Sequence, residues 1–241
     1  MSLDLPDTWT DPDLWVLTCA PRSRMDETAS LIESIGAPAV VVTTLPEPIP
    51  ADFLGDDVTV LLFESDEINI SKWWTRGLDW IASHYDDGEK WDVLLIESDA
   101  RMTPRDITRI RRAMRDQDTI MAGGDWRHAM HGQALQVRRD NTAWVPDPSQ
   151  ADAGRIPGIA CVISGEAGIR HDPEFRWWLA DDDFEWQHRV NGGTLLVGGV
   201  AVNHVGTQGP LTGARLQAWE EDQVKFLAKW GGLPAQGGVP E

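Results

Sequence analysis

Three short stretches of the sequence place acidic or imidazole side chains at spacings that can perform chemistry. The first is LADDDFEW at residues 179–186, which holds three aspartates and a glutamate among apolar residues. Carboxylates this close resist simultaneous ionisation, so they need a cation, a basic neighbour or a raised pKa useful in proton transfer. The same residues are also typical of a solvated helix start, because aspartate is favoured near helix N-termini. Spacing alone leaves both interpretations open.

The second stretch is LLIESDARMTP, in which Glu97-Ser98-Asp99 follows an apolar run. Side chains alternate along a strand, so Glu97 and Asp99 would project to the same side, where Mg²⁺ or Mn²⁺ accepts carboxylate oxygens. The alternative is an acidic turn in which Asp99 only favours the positive end of the next helix.

The third stretch, AVNHVG, offers His204. This histidine is a ligand only if it meets the acidic groups in space, and it is structural otherwise.

The elements that must position these residues alternate between strands and helices in the first half of the chain. Apolar and β-branched runs predict strands at residues 14–18, 39–44, 58–63 and 92–96, and those at 39–44 and 92–96 are expected to be buried. Helices are predicted between them, one capped by Ser71 and one that begins at Thr103 and Pro104. Such alternation predicts a mainly parallel α/β sheet, in which ligands lie beyond the carboxyl ends of the strands. Glu97 and Asp99 follow such an end.

The second half of the chain is less regular. Strands are predicted within residues 119–124, 159–163 and 194–202, and a long loop at 138–158. A final amphipathic helix is expected to turn Leu216, Trp219, Phe226 and Trp230 toward the body of the protein.

The composition limits the partners and the compartment. The formal charge of −18, from 21 basic and 39 acidic residues, argues against stable nucleic-acid binding, because a polyphosphate backbone is repelled. The only two cysteines, Cys19 and Cys161, match no metal or redox spacing and are typical of a reducing compartment, so a cytoplasmic location is predicted. Neither a secretory leader nor a membrane span is expected, because no run of about 18 apolar residues occurs.

Taken in order, the stretches resemble an inverting glycosyltransferase of the family 2 type, built on the nucleotide-diphospho-sugar transferase fold called GT-A. LWVLTCAPR (14–22) resembles the first strand and nucleotide-binding turn, and WWTRGLDWIA (73–82) resembles the family's W-N-x-G-L segment, with Thr75 in place of asparagine. ESD stands at the D-x-D signature, with Glu97 as its first residue. The stretch at 158–186 resembles the acceptor-side strand and acidic motif, VNHVG the later His-x-Gly, and DQVKFLAKWG a closing helix.

The resemblance implies one GT-A domain over residues 1–241, with a mainly parallel, Rossmann-like sheet flanked by helices and an irregular acceptor-side second half. About 12–125 would bind the nucleotide-sugar and the metal ion, and about 126–241 would bind the acceptor and carry the catalytic base. Asp99 and His204 would hold Mn²⁺ or Mg²⁺. The donor would contact residues on the first turn and at the metal motif: Thr18, Pro21, Arg22, Glu97 and Ser98.

The base that the resemblance implies depends on the register of the acidic motif. Aligning Glu185 and Arg189 with the family's acidic residue and arginine makes Asp183 the base and Asp182 its acidic neighbour. Aligning Gly192 with the family's glycine makes Asp181 the base. The first register is preferred because it accounts for two charged positions. The adjacent pair Trp177 and Trp178 would offer either a stacking platform for an acceptor sugar or core packing.

The predicted function is transfer of a sugar from a nucleotide-diphospho-sugar to an acceptor hydroxyl, on a protein, a glycan or another molecule, with inversion and with a divalent cation. VVVTTLPEP carries no aspartate where relatives often contact the base or ribose, so the donor's nucleotide stays open. Two other classes are compatible with clustered Asp, Glu and His. One is a metal-dependent phosphoesterase or nuclease, which needs paired metals about 4 Å apart. The other is a sugar-nucleotide-binding module without turnover.

Overall fold

The computed structural model describes residues 13–67, 69–124, 136–139, 156, 158–177, 179–200, 202–204 and 212–233. Trp178, most of the predicted loop at 138–158 and the end of the VNHVG stretch lie outside the described residues.

A mixed sheet of eight described strands forms the centre of the fold, in the order β3-β2-β1-β4-β8-β6-β9-β7. Its strands are β1 (Leu14–Cys19), β2 (Ala39–Thr44), β3 (Val58–Phe63), β4 (Asp92–Ile96), β6 (Met121–Gly124), β7 (Gln136–Arg138), β8 (Ala160–Ser164) and β9 (Thr194–Val197). Strands β3, β2, β1 and β4 run parallel to one another, as do β6 and β9, whereas β8 and β7 run against their neighbours. The predicted mainly parallel α/β sheet is confirmed.

A separate two-stranded antiparallel sheet joins β5 (Ala100–Arg101) to β10 (Asn203–His204). It follows directly after β4 and connects the predicted metal motif to the late part of the chain. The run 194–202, expected as one strand, ends as β9 at Val197, and β10 begins only at Asn203.

Five helices accompany the sheet in the described part of the chain: α1 (Met25–Ile35), α2 (Ile70–Ala82), α3 (Pro104–Asp116), α4 (Ala180–Asn191) and α5 (Ala214–Trp230). The predicted start of α3 is confirmed, because the Thr103 side chain accepts the Asp106 N–H and Pro104 occupies the first turn. The predicted cap of α2 is wrong. Asn69 accepts the Lys72 N–H, and Ser71 is buried within the helix. None of these helices is both long and apolar enough to cross a membrane.

Helices cover both faces of the sheet, and successive side chains of each strand point to opposite faces. One core packs alternate strand residues such as Val16 and Leu94 against α1 and α3. The other packs their neighbours, such as Leu17 and Leu95, against α2 and α4. The strands with apolar side chains on both faces are therefore the ones that the sequence predicts most clearly.

The closing helix α5 packs on α4 through an aromatic cluster. Phe226 is fully buried and meets Trp186 edge-to-face at 5.0 Å, and Trp230 meets the same ring at 5.4 Å. The prediction that Leu216 faces the body is wrong, because this residue lies on the exposed side of α5. The contacts between α5 and α4 fix the orientation of the acidic run at the start of α4.

Candidate functional site

Glu97, Asp99 and His204 converge at the carboxyl end of β4. Glu97 and Asp99 follow the strand directly, and the pairing of β10 with β5 sets His204 opposite Ala100. The His204 Nε2 atom lies 3.3 Å from a Glu97 carboxylate oxygen and 3.4 Å from Asp99 Oδ1. Taking one ligand atom from each residue, all three lie within 4.8 Å of one another. The structure therefore brings the predicted metal ligands Asp99 and His204 together with Glu97, and we call these three residues the triad.

The donor set of the triad fits a divalent cation. Asp99 is 6% exposed, and its Oδ1 atom and His204 Nε2 lie 3.4 Å apart without forming a well-directed hydrogen bond among the described residues. A buried polar atom left without a partner costs free energy, so a cation that binds both atoms would remove this cost. Two carboxylate oxygens and an imidazole nitrogen suit Mn²⁺ better than Mg²⁺, which prefers oxygen ligands.

The charges of the triad and of Arg24 shift the pKa values of His204 and Asp99. The Glu97 carboxylate raises the pKa of His204 above its ordinary value, and this effect outweighs the opposing effect of burial. Burial acts to raise the pKa of Asp99, but the Arg24 guanidinium and then His204 outweigh it, so this pKa lies below its ordinary value. Asp99 is therefore ionised at neutral pH and presents a negative charge to the site.

Arg24 is a residue of this site that the sequence did not reveal. It ends the short 3₁₀ turn Arg22–Arg24 after β1, and its Nη1 atom contacts Asp99 Oδ2. The contact with Asp99 raises the pKa of Arg24, although burial opposes it. Only its place beside Arg22, in the turn that resembles a nucleotide-binding segment, could have pointed to Arg24.

The other residues predicted to contact the donor occupy different environments. Pro21 and Arg22 are exposed, and the Arg22 guanidinium donates to the Pro48 carbonyl over 3.4 Å. Thr18 is fully buried in β1, and the Ser98 side chain is buried too, while the Ser98 carbonyl accepts a bond from Arg101. Pro21 and Arg22 therefore lie on the surface, whereas the side chains of Thr18 and Ser98 are buried.

The three aspartates of the acidic run lie in the first turn of α4 and point in different directions. Asp183 is fully buried, and its carboxylate accepts bonds from Lys229 (2.8 Å), Trp230 (2.8 Å) and Gln187 (2.7 Å). Burial raises the pKa of Asp183, and these donors only partly offset the effect. The Asp183 carboxylate thus joins α4 to α5, and its oxygens are occupied.

Asp181 lies on the side of α4 that faces the sheet edge. A Cβ atom added to Gly158 would lie 1.9 Å from Asp181 Oδ2, so this carboxylate rests against the backbone that precedes β8. The next residue along that backbone, Ile159, accepts the Glu97 N–H over 2.9 Å. Asp181 is only partly buried, whereas Asp182 is 2% exposed. Asp181 is therefore the aspartate of the run that is both accessible and near the carboxyl end of β4.

The residues that set the two possible registers have structural roles. Glu185 and Arg189 are buried and form an ion pair within α4, with a 2.6 Å contact, so their spacing reflects helix geometry. Gly192 packs against Ile120, where a Cβ atom would come within 2.8 Å. The glycine is thus required by close packing at the end of α4.

Trp177 contacts α2 and α5. Its ring is edge-to-face with Trp73 at 6.5 Å, and its backbone N–H donates to the fully buried Asp222 over 2.9 Å. Trp177 is half-buried, so part of its ring faces solvent.

The tripeptide Glu-Ser-Asp, which supplies two residues of the triad, occurs a second time in the chain. Glu64-Ser65-Asp66 follows β3 as Glu97-Ser98-Asp99 follows β4, and both copies come after two leucines and one further apolar residue. Glu64 and Asp66 are exposed, and among the described residues they join no group that could hold a metal ion. The second copy offers a matched control for the first.

Comparisons with known proteins place this geometry on a known architecture. The sequence matches no protein-family model and no curated protein. The structure is similar to S. aureus TarS 1-349 in complex with UDP-GlcNAc, with a TM-score of 0.54 and 11% identity over 89% of this chain and 66% of that one. The chain has a GT-A-like fold.

Two further TarS structures agree. The complex of S. aureus TarS 1-349 with UDP has a TM-score of 0.55 and 11% identity, and this chain covers 65% of it. A structure of S. aureus TarS has a TM-score of 0.54 and 11% identity, with 90% of this chain covering 44% of that one. This chain thus spans less than two thirds of these proteins, and at such identity the likeness shows the fold.

Proposed function

We propose that the chain is a metal-dependent inverting glycosyltransferase, which moves a sugar from a nucleotide-diphospho-sugar to an acceptor hydroxyl on a protein, a glycan or another molecule. The observation that carries the proposal is the triad of Glu97, Asp99 and His204 at the carboxyl end of β4 in a GT-A-like fold. In open α/β sheets, this edge is where ligands bind. The similar structures that contain UDP and UDP-GlcNAc support a nucleotide-sugar as the donor.

The triad would hold a Mn²⁺ or Mg²⁺ ion, which stabilises the negative charge of the departing nucleotide diphosphate. Glu97 and Asp99 would supply carboxylate oxygens and His204 an imidazole nitrogen. Pro21 and Arg22, on the surface of the turn after β1, would contact the donor. Ser98 and Thr18, whose side chains are buried, would contact the donor only after a change of conformation.

We propose Asp181 as the base that takes the proton of the acceptor hydroxyl. The preferred register makes Asp183 the base, but three side chains of α4 and α5 occupy the Asp183 carboxylate, and it is fully buried. A general base must come within hydrogen-bond reach of the proton that it removes. Asp181 is partly exposed and lies against Gly158, one residue from the carbonyl that binds Glu97. The register based on Gly192 also makes Asp181 the base, and we propose Asp182 as its acidic neighbour.

The proposal is tested by incubating the protein with a panel of nucleotide-sugars and Mn²⁺, and by measuring release of nucleotide diphosphate with and without EDTA. We expect release that EDTA abolishes and that falls by at least about 100-fold in Asp99→Ala, because the variant loses a ligand of the ion. Asp66→Ala is the matched control. It removes the same residue of the same tripeptide after β3 and should leave release unchanged.

Release that is indifferent to EDTA and survives Asp99→Ala would contradict the metal assignment. If Asp66→Ala lost as much activity as Asp99→Ala, the loss would not be specific to the triad, and the triad would not be established as the metal site. Hydrolysis of phosphodiesters without any nucleotide-sugar turnover would point to the phosphoesterase class. A single domain over residues 1–241 and a cytoplasmic location stay predictions.

A further inference from the structure

The Arg24 side chain extends from a backbone that is held on both sides. Its N–H donates to the Pro21 carbonyl over 3.0 Å, and its carbonyl accepts the Thr28 hydroxyl over 2.8 Å. The guanidinium reaches across the carboxyl edge of the sheet to Asp99 Oδ2, while the other oxygen, Oδ1, faces His204. Arg24 and the remaining members of the triad thus approach one carboxylate from two sides.

A guanidinium and a divalent cation on the same carboxylate oppose each other. Asp99 is almost buried, so the two positive charges would be poorly screened by water, and like charges a few ångströms apart repel strongly there. The side chain of Arg24 is 37% exposed, so it has room to move away from Asp99. Binding of a cation at Oδ1 would therefore weaken the contact between Arg24 and Asp99.

The donor supplies a second partner for Arg24. A nucleotide diphosphate carries several negative charges, and guanidinium groups bind phosphate oxygens through paired, charge-assisted hydrogen bonds. The turn that carries Arg24 is the one that would contact the donor, and it begins immediately after β1, the neighbour of β4 in the sheet. When both are present, the cation can bind Asp99 and the donor's diphosphate can bind Arg24.

We infer that Arg24 couples cation binding to donor binding: it pairs with Asp99 in the empty site and moves to the donor's diphosphate when the cation takes Asp99. This inference rests on the proposed function and concerns the regulation of the same site. It makes Arg24 a positioning residue that keeps the empty site from binding a cation tightly. By linkage, the nucleotide raises the affinity for the cation, and the cation raises the affinity for the nucleotide by the same factor.

The test measures Mn²⁺ binding from the EPR signal of the free ion, with and without UDP, in the wild type and in Arg24→Gln. We expect Arg24→Gln to bind Mn²⁺ about fivefold more tightly than the wild type when UDP is absent, because a partly exposed ion pair no longer competes. The factor by which UDP strengthens Mn²⁺ binding should fall, since the variant lacks the guanidinium that would bind the diphosphate of UDP. Arg24→Lys, which keeps the charge but not the fork of donors, should lie between the two.

Arg112→Gln is the control, because Arg112 is an exposed arginine of α3 that pairs with Asp116 of the same helix instead of with the triad. It should leave Mn²⁺ binding without UDP within about twofold of the wild type, and thermal melting should show that all variants are folded. Unchanged or weaker Mn²⁺ binding by Arg24→Gln without UDP would overturn the inference. If the wild type binds Mn²⁺ and Asp99→Ala does not, the metal site of the proposed function stands even then. If neither the wild type nor Arg24→Gln binds Mn²⁺, both the metal site and the inference fail.

Discussion

Replacing Asp181 and Asp183 separately by asparagine should divide the acidic run into a catalytic and a structural residue. Asp183→Asn keeps the shape of the side chain but removes the charge from a fully buried carboxylate that accepts bonds from Lys229, Trp230 and Gln187. The asparagine has one acceptor oxygen and brings an NH₂ group toward donors. Lys229 would keep only its bond to Asp172.

The magnitude follows from the burial of the Asp183 carboxylate, whose partner Lys229 is 33% exposed. Removing one partner of a buried pair costs about 3–5 kcal/mol, and the lower value, about 3 kcal/mol, applies here because Lys229 keeps a second carboxylate. For a chain of this size, this loss lowers the melting temperature by about 6–12 °C. Asp183→Asn should therefore be clearly less stable, yet retain transfer within about tenfold when assayed well below its transition.

Asp181→Asn should behave in the opposite way. Its side chain is partly exposed, so the melting temperature should change by no more than about 2 °C. Loss of a general base lowers the rate by about 10²–10⁴-fold, and UDP binding with Mn²⁺ should be unchanged because the base acts on the acceptor. The assay combines thermal melting, UDP titration and nucleotide diphosphate release with the most active donor and acceptor. A stable Asp183→Asn variant without transfer, beside an active Asp181→Asn variant, would refute this assignment.

Two further predictions concern the packing around α4. Gly158→Ala should displace the Asp181 carboxylate, because a new Cβ atom would lie 1.9 Å from it. Transfer should therefore fall at least about tenfold, while UDP binding is kept. Unaltered transfer would contradict the placement of Asp181. Burial lowers the pKa of His171 to about 3 and that of His188 to about 4, so below pH 6.5 the unfolded chain binds more protons at these sites and stability falls as the pH decreases. The free energy of unfolding can be measured with urea between pH 6 and pH 5. His188→Gln should reduce its decrease by about 1 kcal/mol per pH unit. The same pH dependence in the wild type and the variant would show that His188 is not buried in its neutral form.

The sheet could be predicted from the sequence because its strands are buried on both faces. Such strands need unbroken runs of apolar or β-branched residues, and the buried strands β2 and β4 occupy the predicted ranges 39–44 and 92–96. The half-buried β3 also occupies its predicted range, 58–63. The errors arise where several residues satisfy the same local rule. Asn69 and Ser71 can both cap α2, and tertiary contacts select Asn69, whose amide also donates to the Pro173 carbonyl.

The choice among the aspartates could not be made from the sequence for a geometric reason. Successive residues of a helix are rotated by about 100°, so Asp181 and Asp183 point to nearly opposite sides of α4. Which side faces the sheet edge depends on how α4 packs, and the contacts of Phe226 and Trp230 with Trp186 decide this. The register that makes Asp183 the base rests on Glu185 and Arg189, and the ion pair within α4 also requires their spacing of four residues.

The two copies of the ESD tripeptide separate what the sequence determines from what the tertiary structure decides. Local sequence determines that each copy follows an apolar strand and projects two carboxylates beyond its carboxyl end. The copies differ only in their surroundings. Asp66 stays exposed, whereas the pairing of β10 with β5 brings His204 to Asp99, and the turn after β1 brings Arg24. A cation site requires ligands that converge on one point, and residues about 100 positions apart converge only through the fold.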